Sequence, residues 1–309
     1  VKQFSIVVSA DNSSLSELKR LGSLAHQNNI AFIACDSRGL FGAVFCDFSS
    51  NFVISDKNGE PPKTAYINGI NAGEKTIIHC VDTSRHDLED GDWIRITEVE
   101  GMTELNDKEF QVDVIGPYSL SLRNVDSTSF SNYTNRGFLE QVKKPITKSY
   151  KDFATMIDAF HWEKTLHPDG INVMRLNQFQ LFYRSLLQFQ ESEHRLPRPR
   201  NKDDVAALLK IATSASPSLL SSSDDKVDEK LLSQLCESAA GDLNPMATFL
   251  GGVVGQEIMK AASGKFTPLD QWLFYDSLHA IIPDLSESEC APQNTRYDGQ
   301  IAVFGKQFQ

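Results

Sequence analysis

The chain has 309 residues, 40% of them hydrophobic and 23% charged, with a formal net charge of −11. That length exceeds the usual reach of one hydrophobic core, so two or three units are expected in an ordinary globular protein. The acidic balance speaks against nucleic acid and anionic membranes, which favour basic faces, and no apolar run is long enough to span a bilayer.

Residues 4–9 (FSIVVS) read as a buried strand. Asp11–Ser14 offer N-caps for a helix running to about Asn28, with Leu15, Leu18, Leu21, Leu24 and Ala25 on one face. Ile30–Cys35 is a second apolar run. Strand, helix, strand predicts a right-handed βαβ unit with parallel strands. Two parallel strands cannot fill a core alone, so the sheet must draw partly on Gln271–Tyr275 and partly on sequence outside this chain. Asp36 and Arg38 follow the second strand, at what would be the carboxyl edge of the sheet, where open α/β folds place ligands. Gly39 and Gly42 would permit a tight turn there. The chain lacks an initiator methionine and opens directly on FSIVVS, so it reads as a piece of a longer protein.

From Phe48 to Lys148 the pattern changes. Turn signals at Asp56–Gly59, Asn71–Gly73, Glu89–Gly91 and Gly116–Pro117 separate short runs at Thr76–Val81, Trp93–Val99, Phe110–Ile115 and Ser119–Leu122. Such spacing predicts a small antiparallel barrel. From Tyr150 to Thr213 the period is helical. Phe179, Phe182, Tyr183, Leu186, Leu187 and Phe189 mark an amphipathic helix whose stripe belongs to a bundle core. Leu196–Arg200 (LPRPR) is a rigid linker, and Ser214–Asp225 is expected to be a loop or helix cap. Helix returns at Val227–Ala240 and again from Pro245, a favoured first helical position. Ser286–Arg296 is polar and expected to be extended or mobile.

The segment Ala247–Ala280 is an apolar helix containing three glycines, stopped by Gly264 and followed by a strand at Gln271–Tyr275. Glycine weakens a helix by about 1 kcal/mol relative to alanine, so three need a reason. Gly251 and Gly255 share a face and would let another backbone approach, either inside a domain or across an interface. No G-x-G-x-x-G loop is present. Cys35, Cys46, Cys80, Cys236 and Cys290 include no C-x-x-C pair, which fits a reducing compartment and excludes that form of zinc or redox site. The histidines show no metal-ligand spacing, so no metal site is expected. His86 beside Asp87 and Glu89 lacks an accompanying nucleophile motif, and Arg85 and Glu89 alone read as charges on an exposed loop.

Ala247–Ala280 closely resembles the ubiquitin-activating enzymes, the E1 family. So do Asp36–Phe48 (DSRGLFGAVFCDF), Arg85–Asp92 (RHDLEDGD), Glu98–Asn106 (EVEGMTELN) and Tyr297–Gly305 (YDGQIAVFG), in matching order along nearly the whole chain. The resemblance implies a multi-domain α/β plus β plus α protein. Residues 1–48 and 227–309 would be part of the inactive, Rossmann-like (ThiF/MoeB-like) adenylation domain. Residues 49–148 would be the first catalytic-cysteine half-domain, a β-barrel, and 149–226 the four-helix bundle.

The resemblance also implies a function. E1 enzymes adenylate the ubiquitin C-terminus with ATP and Mg, form a cysteine thioester and pass ubiquitin to an E2. This stretch would be scaffold and ubiquitin-docking surface, with no catalytic, cofactor-binding or metal-binding residue of its own. Its partners would be ubiquitin, the active adenylation domain of the same chain and, through the parent enzyme, E2 conjugating enzymes. The Arg and Glu matching Arg85 and Glu89 contact ubiquitin in that family. In the inactive half that sheet edge does not bind nucleotide productively, so Asp36, Arg38, Gly39 and Gly42 would be structural, and Arg296 would point toward the inactive site and receives no catalytic role. An E1 for another ubiquitin-like modifier and a non-enzymatic binding module share much of this pattern. The expected location is cytoplasmic and nuclear.

Overall fold

The computed structural model describes residues 3–10, 13–83, 85–159, 173–220 and 226–308. They divide into two compact units, one of Val1–Phe52 with Thr147–Gln309 and the other of Val53–Ile146.

The first unit opens with β1 (Ile6–Ala10), α1 (Leu15–Gln27) and β2 (Ala31–Arg38). The Ser14 hydroxyl caps α1 by accepting the Glu17 N–H, while Leu15, Leu18 and Ala25 turn inward. Asp11 and Asn12, the other cap candidates, lie outside the described residues. β1 pairs in parallel with β2, Val8 opposite Ile33, as the βαβ pattern predicts. It is not buried, however. As the edge strand it has one neighbour, and Phe4 and Val8 face solvent.

The motif DSRGLFG does not form a loop beyond the sheet edge. Asp36 and Arg38 lie within β2, and the chain reverses at Gly39–Leu40 into β3 (Phe41–Asp47), antiparallel to β2. β3 is buried along its whole length. A continuously apolar run lacks the alternation that marks a half-buried strand, which is why the hairpin escapes a periodicity reading. Gly39 takes φ +56° at the reversal, as a tight turn requires, whereas Gly42 is a strand residue.

The chain crosses into the second unit at β4 (Phe52–Ile54). There β5 (Thr64–Asn71), β6 (Ile77–Cys80), β7 (Trp93–Thr97), β8 (Lys108–Gly116), β9 (Ser119–Leu122) and β10 (Phe138–Gln141) close into an antiparallel barrel, in the order β10-β5-β6-β9-β8-β7. Ile78, Ile94, Ile96, Val112, Leu120 and Leu139 fill it. β10 completes the ring by pairing with both β5 and β7, so no sheet edge remains open. The chain returns at β11 (Ile146–Lys148).

The rest of the first unit holds α2 (Phe153–Asp158), α3 (Val173–Glu193), α4 (Lys202–Leu219), α5 (Glu229–Ser238), α6 (Asn244–Ser263), β12 (Trp272–Asp276) and α7 (Asp298–Phe304). Residues 160–172 of the predicted bundle and 221–225 of the predicted loop lie outside the described residues. β12 joins β3 antiparallel and completes a four-stranded sheet, β1-β2-β3-β12. α3 is not amphipathic as expected. Asn177, Gln178, Gln180 and Ser185 are buried along with its aromatic stripe. The reason is its central position: Phe182 meets Phe41 of the sheet edge-on at 5.1 Å, while other faces of α3 contact α4 and α5. One face of the sheet shares a core with α1 to α5, and the other packs a second cluster against α6.

Two further expectations are corrected. Ser214–Leu219, expected as a loop or helix cap, is the last part of α4; its serine hydroxyls bond back to carbonyls one turn earlier, and Ser216 donates to the Thr213 carbonyl that Pro217 cannot serve. Ser286–Arg296 is a run of turns about buried Cys290, closed by the Ser286 N–H and hydroxyl on the Glu289 carboxylate.

Candidate functional site

The loop between β6 and β7 carries Arg85 and Glu89. Its residues alternate: Arg85, Asp87 and Glu89 are exposed, while His86 and Leu88 are buried. Asp87, between them, stands in the left-handed region at φ +50°, so the chain turns midway along this run and leaves both predicted contact residues exposed. Arg85 makes no ion pair or side-chain hydrogen bond among the described residues. Glu89 lies 3.7 Å from Lys57 Nζ, with its side chain 79% exposed.

The backbone beneath them is pinned. His86 Nδ1 accepts the Leu88 N–H at 3.0 Å and Nε2–H donates to the Gly116 carbonyl at 2.8 Å. Both ring nitrogens are thereby engaged, so His86 is a staple and has no lone pair left for acid–base work. Asp90 accepts the Val114 N–H at 2.6 Å. Asp92 accepts from the Glu89 N–H at 3.0 Å and from Gln141 Nε2 at 2.9 Å. Sequence reading missed these anchors. The alternation from Arg85 to Glu89 is the signal that points to them.

Beside the loop a cavity of 240 Å³ is lined by Lys57, Asp92, Trp93, Gln141 and Lys143. Lys143 is already committed, donating to Asp56 at 2.7 Å and Asn58 at 2.9 Å.

In the first unit the end of β2 is closed. The Gly39 N–H donates to the Gly241 carbonyl at 2.8 Å, and a Cβ on Gly39 would meet the Ser238 carbonyl oxygen at 2.0 Å. The end of α5 therefore fills the space next to this turn. Asp36 and Arg38 are buried and paired at 2.9 Å.

Burial pushes the thiol of Cys80 up to about 11 and that of Cys236 up to about 12, and Cys46 and Cys290 are raised for the same reason. A thiol so shifted carries almost no thiolate at neutral pH. No cluster of three metal-ligating side chains occurs among the described residues. Arg296 is exposed, and its guanidinium rests 4.8 Å from the centre of the Tyr297 ring.

α6 ends at Gly264, in left-handed conformation at φ +63°, as the sequence predicts. Its glycines do not pack within the unit. Leu250 and Val254 face the core with Val44 and Cys46, and Glu257 is buried on the same side. Gly251, Gly252 and Gly255 lie on the other side, where an added Cβ would meet nothing within 4 Å. Phe249 and Met259 are exposed too. A turn of about 100° per residue separates these two faces.

Comparison with known proteins places the motifs in context. Residues 73–143 match the model of the ubiquitin-activating enzyme E1 FCCH domain, and residues 144–216 that of the ubiquitin-activating enzyme E1 four-helix bundle. The chain is 38% identical over 308 residues to ubiquitin-like modifier-activating enzyme 1 of Oryctolagus cuniculus, covering 98% of this chain and 29% of that protein. It is 38% identical over 313 residues to ubiquitin-activating enzyme E1 1 of Schizosaccharomyces pombe, covering 100% and 30%. It is 37% identical over 312 residues to ubiquitin-like modifier-activating enzyme 7 of Mus musculus, covering 99% and 31%. The chain thus spans under a third of the length of these relatives.

Proposed function

We propose that this chain, a homologue of the ubiquitin-activating E1 enzymes, is the modifier-docking and bracing part of a longer protein that activates ubiquitin. In this reading the parent protein adenylates the ubiquitin C-terminal carboxylate with Mg-ATP, captures it as a cysteine thioester and passes it to an E2 conjugating enzyme. Adenylation converts a carboxylate with no usable leaving group into a mixed anhydride, and the thioester keeps that activation exchangeable. None of these steps is assigned to residues of this chain. The close packing of α5 against the β2–β3 turn and the raised thiols of Cys46, Cys80, Cys236 and Cys290 support that reading. The reducing cytoplasm and nucleus suit a protein whose cysteines are all thiols.

One observation supports the docking role: Arg85 and Glu89 both stand exposed on a loop whose backbone is stapled by His86, Asp90 and Asp92. Opposite charges on a pre-ordered rim orient a partner and speed its capture more than they hold it. The outer face of α6, free of contacts at three glycines, is the surface we assign to the active adenylation domain. A second reading, activation of another ubiquitin-like modifier, draws on the 37% identity to the mouse enzyme 7.

The test is binding of labelled ubiquitin, beside a panel of other ubiquitin-like modifiers, to the intact protein. Weaker ubiquitin binding in Arg85→Glu supports the docking role, and unchanged binding at low salt rejects it. Preference for another modifier transfers the site to the second reading.

A further inference from the structure

Three residues that the docking role does not use converge at the end of β3. His26 sits in the last turn of α1, Asp47 closes β3, and Ser50 lies in the turn that follows. His26 Nδ1 lies 3.0 Å from Asp47 Oδ1 and 2.9 Å from Oδ2, and His26 Nε2 lies 3.1 Å from Ser50 Oγ. A carboxylate only accepts, so Nδ1 carries the proton and Nε2 turns its lone pair toward the serine hydroxyl.

We propose that Ser50, His26 and Asp47 form a nucleophilic triad that accepts acyl groups from small activated esters at Ser50 Oγ. The burial gradient suits that work. The Asp47 side chain is fully buried, that of His26 is 22% exposed, and Ser50 is open to solvent. Asp47 is held in place by the Ser49 N–H at 2.8 Å, as an orienting acid must be. His26 sits in the last turn of α1, and the Asp152 carboxylate lies near it. Ser49 takes φ +69°, a sharp turn immediately before the nucleophile. A hydroxyl on an open turn selects esters that bring their own good leaving group over substrates needing an enclosing pocket.

In the acylation step the Ser50 Oγ–C bond forms at the carbonyl carbon while the hydroxyl proton passes to His26 Nε2. The bond from that carbon to the leaving oxygen then breaks, and His26 returns the proton to the departing alcohol. Water repeats the sequence against the acyl-serine, so ester and water become acid and alcohol and the triad is restored. An alkyl fluorophosphonate arrests the cycle: the Oγ–P bond forms, the P–F bond breaks, and fluoride leaves with the serine proton.

The experiment treats the whole protein with p-nitrophenyl acetate and with an alkyl fluorophosphonate, reading the nitrophenolate burst and mapping the adduct by peptide mass. The expected result is one phosphonyl adduct at Ser50 and a burst abolished by Ser50→Ala. Asp47→Asn and His26→Gln should slow labelling on the order of a hundredfold. No adduct at Ser50, or labelling indifferent to His26→Gln, overturns the proposal. Should circular dichroism show that either variant has unfolded, the pH profile of the wild type decides. A labelling rate that levels off once the imidazole is neutral supports the triad, and one that climbs with hydroxide to pH 10 overturns it.

Discussion

A Cβ placed on Gly39 would lie 2.0 Å from the carbonyl oxygen of Ser238, so the β2–β3 turn and the end of α5 touch backbone to backbone. The same glycine stands at φ +56°, and its N–H bonds to the Gly241 carbonyl at 2.8 Å. Gly39→Ala is therefore expected to cost at least about 2 kcal/mol, from strain and displaced backbone together. Urea unfolding of the two proteins measures it. A midpoint unchanged from wild type would show that the contact relaxes freely.

Arg85→Glu reverses a charge on an exposed rim without touching the core. Ubiquitin binding by the intact protein is expected to weaken about two- to fivefold at low salt, with the difference shrinking as salt rises. Titration at two ionic strengths checks both the size and the salt dependence.

His86 works differently, from beneath. Replacing it with alanine leaves the Gly116 carbonyl without its donor and the Leu88 N–H without its acceptor. The expected loss is about 1–3 kcal/mol of barrel stability. Hydrogen exchange at Leu88 should speed up more than exchange in β8 and β9, which separates loosening of the loop from general unfolding.

Asp204 anchors the start of α4 from a buried position. Burial pushes its carboxyl up, but hydrogen bonds from Arg195 and Arg198, including the Arg198 N–H, outweigh this and hold it well below the usual carboxylate range. A carboxyl lowered on folding stabilises fully above its unfolded value of about 3.9, and that contribution fades as pH falls toward the folded value. Acid titration of stability should therefore drop more steeply below about pH 4 in wild type than in Asp204→Asn. The variant is expected to be less stable at neutral pH by about 2–3 kcal/mol. Parallel curves for the two proteins would remove Asp204 as the source.

The α6 glycines separate stability from assembly. Gly251→Ala adds a methyl where nothing lies within 4 Å, so the chain itself should gain about 0.5–1 kcal/mol from helix propensity. Gly255→Glu should leave the folded chain intact yet impair activation by the full-length protein, if that face meets the active adenylation domain. Thermal unfolding of the chain and thioester formation by the full protein read the two effects apart.

Local signals were legible where one face of an element is wet or a terminus is capped. Ser14 before Leu15, Pro245 inside α6 and Gly264 behind it carry their meaning in a few neighbouring residues. Most of the barrel strands could be placed from turn residues, because antiparallel neighbours are joined by short reversals. β10 could not. Nor was β5 read, and the place of β10 depends on meeting β5 and β7 from far along the chain.

The Arg85–Glu89 pair illustrates the same division. Their types and spacing, with the resemblance around them, are what suggested the proposed docking role, but the staple through His86 needs Gly116, thirty residues away. Ser50, His26 and Asp47 show nothing in sequence, since no motif joins a helix end to a turn across β2 and β3. What the sequence by itself determined is the order of the parts: strand and helix periods, caps, breaks, and the succession of sheet, barrel and helices. Only the tertiary structure decided which faces are buried on two sides, where the glycines of α6 look, and which polar groups meet. Periodicity reports an element's own amphipathicity, whereas convergence depends on long-range packing that no local window contains.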